Sequence, residues 1–237
     1  KMTNKSNTVI DHLHELRTKI LRILFILLIT FIICIPFSES IYNFISGPIL
    51  SLFAQNSSLI ATGVTSPFFV PLKLALSLSC LIVLPYAFFE LWSFISPGLY
   101  KDEQSFALPL IISSLLLFIS GITFAFLVVA PILLNFFLNS APSTVTVMTD
   151  ISQYFQFIMK LIFGFGIAFQ VPVLTFLLVR TGMVSKQSLK KARPFVIILF
   201  FIIASLLTPP DVLSQLFLAI PMWILFEIGL FLSSRKK

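Results

Sequence analysis

The chain has 237 residues, of which 58% are hydrophobic and 11% are charged, and its mean hydropathy is +1.05. This composition excludes a soluble globular domain, because too few polar side chains remain to cover a surface that faces water. The net charge of +7 does not indicate nucleic-acid binding, since Lys and Arg lie between apolar runs and not in one polar domain. We therefore expect an integral membrane protein with no nucleic-acid partner.

Six apolar segments, taken in chain order, are predicted to form the membrane helices of an all-α, multi-pass protein. They make up a single transmembrane domain over residues 1–237. The segments are 21–36, 70–96, 107–138, 154–179, 195–207 and 212–232.

The positions of Lys and Arg predict the orientation of these helices, because cations are retained on the cytoplasmic side of a membrane. If all six segments cross, all but two of the 16 Lys and Arg residues fall on one face. Both termini are therefore expected in the cytoplasm. The exceptions are Lys73 and Lys160, which lie within the second and fourth segments.

The fifth segment is too short for a typical membrane span. Its 13 residues rise about 20 Å as a helix, whereas the hydrocarbon core is ~30 Å thick. Basic clusters on both sides of the last two segments require an even number of crossings between them. We hypothesise that this short pair thins the bilayer locally, since a short hydrophobic length is accommodated in that way.

Polar groups at membrane depth are costly and therefore indicate contact with protein or with water. Lys73 and Lys160 could instead extend toward the head groups, and Glu227 could lie near the basic C-terminal tail. Glu90 also falls within an apolar segment. Gln170 could line a cavity or bind a neighbouring helix.

Two carboxylates fall at the predicted cytoplasmic boundary, Glu15 before the first apolar segment and Glu103 between the second and third. Glu15 could simply pair with Lys19 one helical turn away, and Glu103 could be a solvated loop charge. Alternatively, the two carboxylates could hold guanidinium groups, because carboxylates accept bidentate hydrogen bonds from Arg.

No residue pattern indicates a metal, a cofactor or an enzymatic reaction. Cys34 and Cys80 lie in apolar segments, where a thiol behaves as a small hydrophobe. His12 and His14 are two residues apart, so on a helix they do not face the same way. The motifs of hydrolases and of ATP-binding loops are absent from the sequence.

Five blocks of sequence, in order along nearly the whole chain, are similar to TatC, the multi-spanning receptor subunit of the twin-arginine protein translocase. The blocks are HLHELR at 12–17, SPFF at 66–69, FISPGLY at 94–100 followed by Glu103, LTPPDVLSQ at 207–215, and IPM at 220–222 with LFEIG at 225–229.

The resemblance implies a cup-like bundle of six helices in the inner membrane of a bacterium, or in an organelle inner or thylakoid membrane. Both termini would lie on the cytoplasmic side, or on the equivalent side of the organelle membrane. Such a protein binds the twin-arginine signal peptides of folded export substrates, and the proton gradient drives their transport. Other implied partners are single-span subunits similar to TatA or TatB, further copies of the chain and membrane lipid.

The resemblance also implies roles for particular residues. Signal-peptide binding would involve the cytoplasmic residues Glu15, Arg17, Phe94 and Glu103. Assembly or function at the opposite face would involve Pro48 and Asp211.

Two intramembrane polar positions are implied as well. Lys73 matches a basic position near the start of the second helix. Gln170 departs from the glutamate that many members carry, which weakens a proton-relay role there. The competing hypothesis is a secondary transporter with a midplane site built from Lys73, Lys160 and Gln170, although no matching halves are visible.

Overall fold

A computed structural model describes residues 3–52, 59–95, 107–140, 148–208 and 212–233. These residues are almost entirely helical, and among them β-type pairing is limited to an isolated parallel bridge between Ile60 and Asp150. The expected all-α fold class is confirmed.

Ten α-helices follow one another along the described chain. They are α1 (Thr3–Cys34), α2 (Ser38–Leu52), α3 (Ser66–Ile95), α4 (Ala107–Phe124), α5 (Ala130–Asn139), α6 (Ile151–Ala168), α7 (Val171–Arg180), α8 (Lys186–Lys191), α9 (Arg193–Leu207) and α10 (Val212–Leu232). A 3₁₀ turn joins α1 to α2, and a π-helical turn, Ala125–Val129, joins α4 to α5.

The described residues contain five helical stretches long and apolar enough to cross a membrane. They are His14–Ser51, Ser66–Leu91, Leu108–Asn139, Ile151–Arg180 and Val212–Leu232. The 15 residues of α9 form a shorter apolar helix of about 22 Å. We call the end of the bundle where α3 ends and α4 begins the basic end, and the opposite end, where α6 begins, the far end.

Proline accounts for the interruptions within two of these stretches, because it lacks an amide hydrogen and cannot continue the hydrogen-bond ladder. Pro131 follows the π-helical turn before α5. Pro172 follows Gln170, where α6 gives way to α7. Each stretch therefore consists of two α-helical pieces.

Helix α1 begins at Thr3, far before the apolar segment that starts at residue 21, and α2 occupies a region that the sequence analysis treats as a connection. The polar N-terminal residues of α1 extend an apolar helix beyond the membrane-length segment. Helix formation does not require an apolar side chain at every position, so hydropathy alone underestimates the length of such an element.

The core lies between α4, α5, α6 and α10, where large side chains are fully buried, among them Phe118, Leu133, Ile158, Phe165 and Leu218. By contrast, α1 packs along α3 and leaves many apolar side chains exposed. In a membrane protein these outward side chains face lipid, so their exposure is not an energetic cost.

Candidate functional site

A cluster of ionic and polar side chains joins α1 to α3 at the basic end. Glu90 is 4% exposed, and its Oε1 accepts hydrogen bonds from Arg22 Nη1 at 3.3 Å and from Tyr86 Oη at 2.5 Å. Lys19 Nζ lies 4.0 Å from Glu90 Oε2. The buried carboxylate is therefore neutralised by two cations from the neighbouring helix.

Lys19 links Glu15 to the end of α3. Its Nζ lies 3.1 Å from Glu15 Oε1 and donates a hydrogen bond to Ser93 Oγ at 2.7 Å. Its side chain is 12% exposed, whereas that of Glu15 is 41% exposed. Glu15 is thus held in place by a largely buried lysine while remaining accessible.

Helical periodicity places these residues on facing sides of the two helices. Glu15, Lys19 and Arg22 follow each other at spacings of four and three residues, so they share one face of α1. Tyr86, Glu90 and Ser93 share one face of α3 for the same reason. We call these six residues the α1–α3 charge cluster.

The other expected signal-peptide residues lie around this cluster in the chain. Arg17 is exposed on α1. Phe94 belongs to the last turn of α3, directly after Ser93, but its side chain is outside the described part of the structure. Glu103 lies in 96–106, outside the described residues; α3 ends at Ile95 just before this segment.

A second ion pair joins α9 to α10 at the basic end. Arg193 Nη2, at the start of α9, donates to Glu227 Oε2 in α10 at 2.7 Å. The C-terminal tail, near which Glu227 was expected, lies outside the described residues; within them Glu227 pairs with the neighbouring helix.

Gln170 cross-links two helices in the interior. It is 6% exposed, its Oε1 accepts from Ser114 Oγ at 2.5 Å, and its Nε2 donates to the carbonyl of Ser114 at 3.0 Å. Both polar ends of the amide are therefore satisfied by α4.

Lys73 and Lys160 line a shared groove of about 720 Å³ between α3, α6 and α9. Gln170 does not line this groove in the described structure. The three polar residues of the transporter hypothesis are thus not brought together, and the midplane site that it requires is not formed.

At the far end, Asp150 ties the chain before α6 to the segment before α3. Its Oδ2 accepts from the amide and the hydroxyl of Thr62, at 2.9 and 2.7 Å, and its Oδ1 accepts from the amides of Ser152 and Gln153. These bonds, that from the Thr62 hydroxyl above all, lower the pKa of Asp150 to about 2.

Of the two residues expected to act at the opposite face, Pro48 lies among the described residues and Asp211 does not. Pro48 lies inside α2, half-buried, and the neighbouring Ile45 carbonyl accepts a hydrogen bond from Tyr154 Oη of α6 at 2.7 Å. Asp211 lies in 209–211, outside the described residues.

No group of three or more His, Cys, Asp or Glu side chains that could hold a metal occurs within the part of the chain described here. From the sequence, Glu90 was expected as an intramembrane carboxylate but not as a member of the site. The signal that could have found it is the pair of cations, Lys19 and Arg22, entering the first apolar segment at the same membrane boundary.

These features define a class: a multi-pass helical membrane protein with a buried charge cluster at one end. The family model described as "Sec-independent protein translocase protein (TatC)" matches residues 11–221. Curated relatives of that name include one from Azotobacter chroococcum mcd 1, 46% identical over 96% of this chain and 89% of the relative. Another, from Escherichia coli strain K12, is 44% identical over 95% and 87%.

Solved structures agree with these relatives. A crystal structure of the twin-arginine translocase receptor TatC superposes with a TM-score of 0.85 at 32% identity, covering 94% of this chain and 97% of the other. A second, in the detergent DDM, gives a TM-score of 0.87 at the same identity and covers 94% and 100%. The chain belongs to the TatC family, which confirms the resemblance seen in its sequence, and it is accordingly a protein-transport component and not an enzyme.

Proposed function

We propose that the chain is the receptor subunit of a twin-arginine translocase and that Glu15 and Glu103 bind the paired arginines of the signal peptide. Single-span TatA- or TatB-like subunits and further copies of the chain complete the translocase, and the proton gradient supplies the energy. The observation that carries the proposal is the accessible carboxylate of Glu15 on the α1–α3 charge cluster.

The cluster explains how a carboxylate can serve an incoming arginine although a lysine already contacts it. Lys19 also donates to Ser93 Oγ at 2.7 Å and lies near Glu90, so it keeps partners when Glu15 turns to a ligand. An ion pair involving a partly exposed carboxylate contributes only about 0–1 kcal/mol. A guanidinium that forms two charge-assisted hydrogen bonds can therefore replace it.

The cluster also fixes the start of the segment that carries Glu103. Ser93 lies two residues before the end of α3, and Lys19 holds it against α1. The chain returns at Ala107, where α4 begins at the same end of the bundle. Glu103 lies four residues before that point in the sequence, which supports the proposal that both carboxylates act at the basic end.

The proposal includes an orientation: the basic end faces the cytoplasm, as do both termini, in the inner membrane of a bacterium. The support is the charge distribution, since α8 alone contributes Lys186, Lys190 and Lys191 to this end. Impermeant thiol labelling of Lys190→Cys and Glu39→Cys, in a chain freed of its native cysteines, tests this. Labelling of Lys190→Cys from the outer side of intact cells would show that the orientation is the opposite of the one proposed.

Binding is tested by photocrosslinking a twin-arginine signal peptide to the membrane-embedded translocase. Loss of one charge-assisted pair corresponds to about tenfold weaker binding, so Glu15→Gln and Glu103→Gln should each show that effect and the double variant about 100-fold. The matched control is Glu39→Gln, which removes an exposed carboxylate from the first turn of α2. Unchanged crosslinking in the double variant would refute the assignment.

A further inference from the structure

The groove between α3, α6 and α9 contains two cations at membrane depth. Lys73 lies seven residues after the start of α3, and Lys160 lies nine residues after the start of α6, or about 10 and 14 Å along the helix axes. The two starts are adjacent, since Ser152 Oγ donates to Ser66 Oγ at 3.0 Å. The lysines therefore enter the groove at similar depths.

No anionic side chain is available to these lysines from the described residues that line the groove. The polar lining consists of Ser77, Ser152 and Gln156, and the remainder is apolar apart from the lysines. Neither lysine forms an ion pair within the described part of the chain. A lysine at membrane depth costs about 2.5–3.5 kcal/mol when it lacks a partner, so the described lining of the groove favours an anionic ligand.

Among the described residues, the short helix α9 does not extend beside Lys160. Its last residue, Leu207, contacts Gly164, which lies thirteen residues into α6, about 20 Å from the far end. Lys160 lies one turn nearer the far end, so α9 ends before reaching its level. A lipid in the far-end leaflet can therefore approach the lysine from the side.

We propose that this groove binds one anionic phospholipid, with its phosphate between Lys73 and Lys160 and an acyl chain along the apolar lining. The chemistry of the lining favours this occupant. Phe163 and Ile167 of α6 and Ile203 of α9 continue the groove from the lysines toward the basic end, as a chain attached to the phosphate requires. The phosphate satisfies both cations, and the chain covers apolar side chains that are exposed in the groove, such as Ile167.

A lipid bound in this groove has a physical consequence at the short helix α9. A head group bound at Lys160 lies below its usual level, because the lysine is more than a helical turn inside the bundle. Lipid held there shortens the local hydrocarbon thickness to match α9, which is the way a short hydrophobic length is accommodated. The site is independent of signal-peptide binding, since it lies on the opposite half of the bundle from the α1–α3 charge cluster.

The test uses a single-tryptophan reporter in the groove. In the full chain, Trp92 and Trp223 are replaced by Phe, and Ile167, which is 56% exposed in the groove, is replaced by Trp. Phosphatidylglycerol with brominated acyl chains is titrated into the detergent-solubilised protein, and quenching reports occupancy. Brominated phosphatidylcholine, which has no net charge, provides the comparison.

We expect phosphatidylglycerol to quench at concentrations well below those needed for phosphatidylcholine. Lys73→Gln with Lys160→Gln should weaken its binding about 30-fold, and either change alone about fivefold. Lys73→Arg with Lys160→Arg should retain binding, because the charges remain. The control, Lys186→Gln with Lys190→Gln in α8, removes two charges at the basic end and should leave the quenching unchanged.

Equal quenching by the two lipids, or an unchanged affinity in the double glutamine variant, would overturn the proposal. Displacement of the lipid by millimolar inorganic phosphate alone would show a free-anion site and would also contradict it. Displacement of the bound lipid by a peptide with an acidic transmembrane segment, at peptide concentrations below those at which the lipid binds, would assign the groove to a protein partner. If the double glutamine variant does not fold, the two single variants provide the same comparison.

Discussion

Replacing Glu90 with Ala should destabilise the folded protein by about 2–4 kcal/mol. The buried carboxylate has three contacts, and the loss of each can be estimated. The Tyr86 hydroxyl loses an acceptor, which costs about 1 kcal/mol. Arg22 is 57% exposed, so its ion pair contributes at the surface limit of about 0–1 kcal/mol.

Lys19 accounts for the remainder. A fully buried pair that loses one partner costs about 3–5 kcal/mol, but Lys19 keeps Glu15 at 3.1 Å, which reduces its share to about 1–2 kcal/mol. Unfolding in mixed micelles with increasing SDS, followed by circular dichroism, measures the difference. The control is Glu39→Ala at the exposed start of α2, where a change below about 0.5 kcal/mol is expected.

A double variant separates the charge from the volume of the side chain. Changing Lys19 and Glu90 together to Met removes both charges, so the loss should be smaller than the sum of the two single losses. A Glu90→Ala protein that unfolds within about 0.5 kcal/mol of the original would refute the reasoning. Additive losses in the Met variants would show that Lys19 and Glu90 do not interact.

Three further predictions concern packing, pH and an interior hydrogen bond. Gly229→Ala should destabilise the folded protein by about 1–3 kcal/mol in the SDS titration, because its new methyl group would lie 2.9 Å from the backbone of Pro172. Gly164→Ala should cost less, because its methyl group would meet the flexible end of the Leu207 side chain. Asp150→Asn should make the protein less sensitive to acid. The pKa of Asp150 is lowered to about 2 in the folded protein, so its carboxylate stabilises the fold fully above the unfolded pKa of 3.8 and loses this effect as the pH falls toward 2. Thermal midpoints measured across that pH range should therefore fall less in the variant than in the original protein. Gln170→Leu leaves the α4 hydroxyl and carbonyl without their partner and should cost about 1–3 kcal/mol by SDS titration; no change would mean that water replaces the amide.

Parts of the fold could be predicted because they depend on local sequence. Membrane-length apolar runs identify helices, and the concentration of Lys and Arg identifies one end of the bundle. Helix α2 was not anticipated, since it follows α1 after the 3₁₀ turn at Ile35–Phe37 and its sequence contains Gly47 and Pro48. Packing of α2 on α3 and α5 stabilises it where local propensity is unfavourable.

The candidate site could be predicted only in part. Glu15 and Lys19 are one helical turn apart, so their pairing follows from local spacing. Their connection to Glu90 and Ser93 does not, because more than 70 residues separate Lys19 from these positions. Which residues of α1 meet α3 depends on the rotation and height of both helices, and hydropathy determines neither.

The sequence by itself determined the helical membrane class, the basic end and the family, because each depends on composition or on short blocks of residues. Only the tertiary structure decided which polar groups meet, such as Gln170 with Ser114 and Arg193 with Glu227, and that Lys73 and Lys160 line one groove. The physical reason is that a buried polar group must find its partner on another helix, and the identity of that partner is set by how the helices pack.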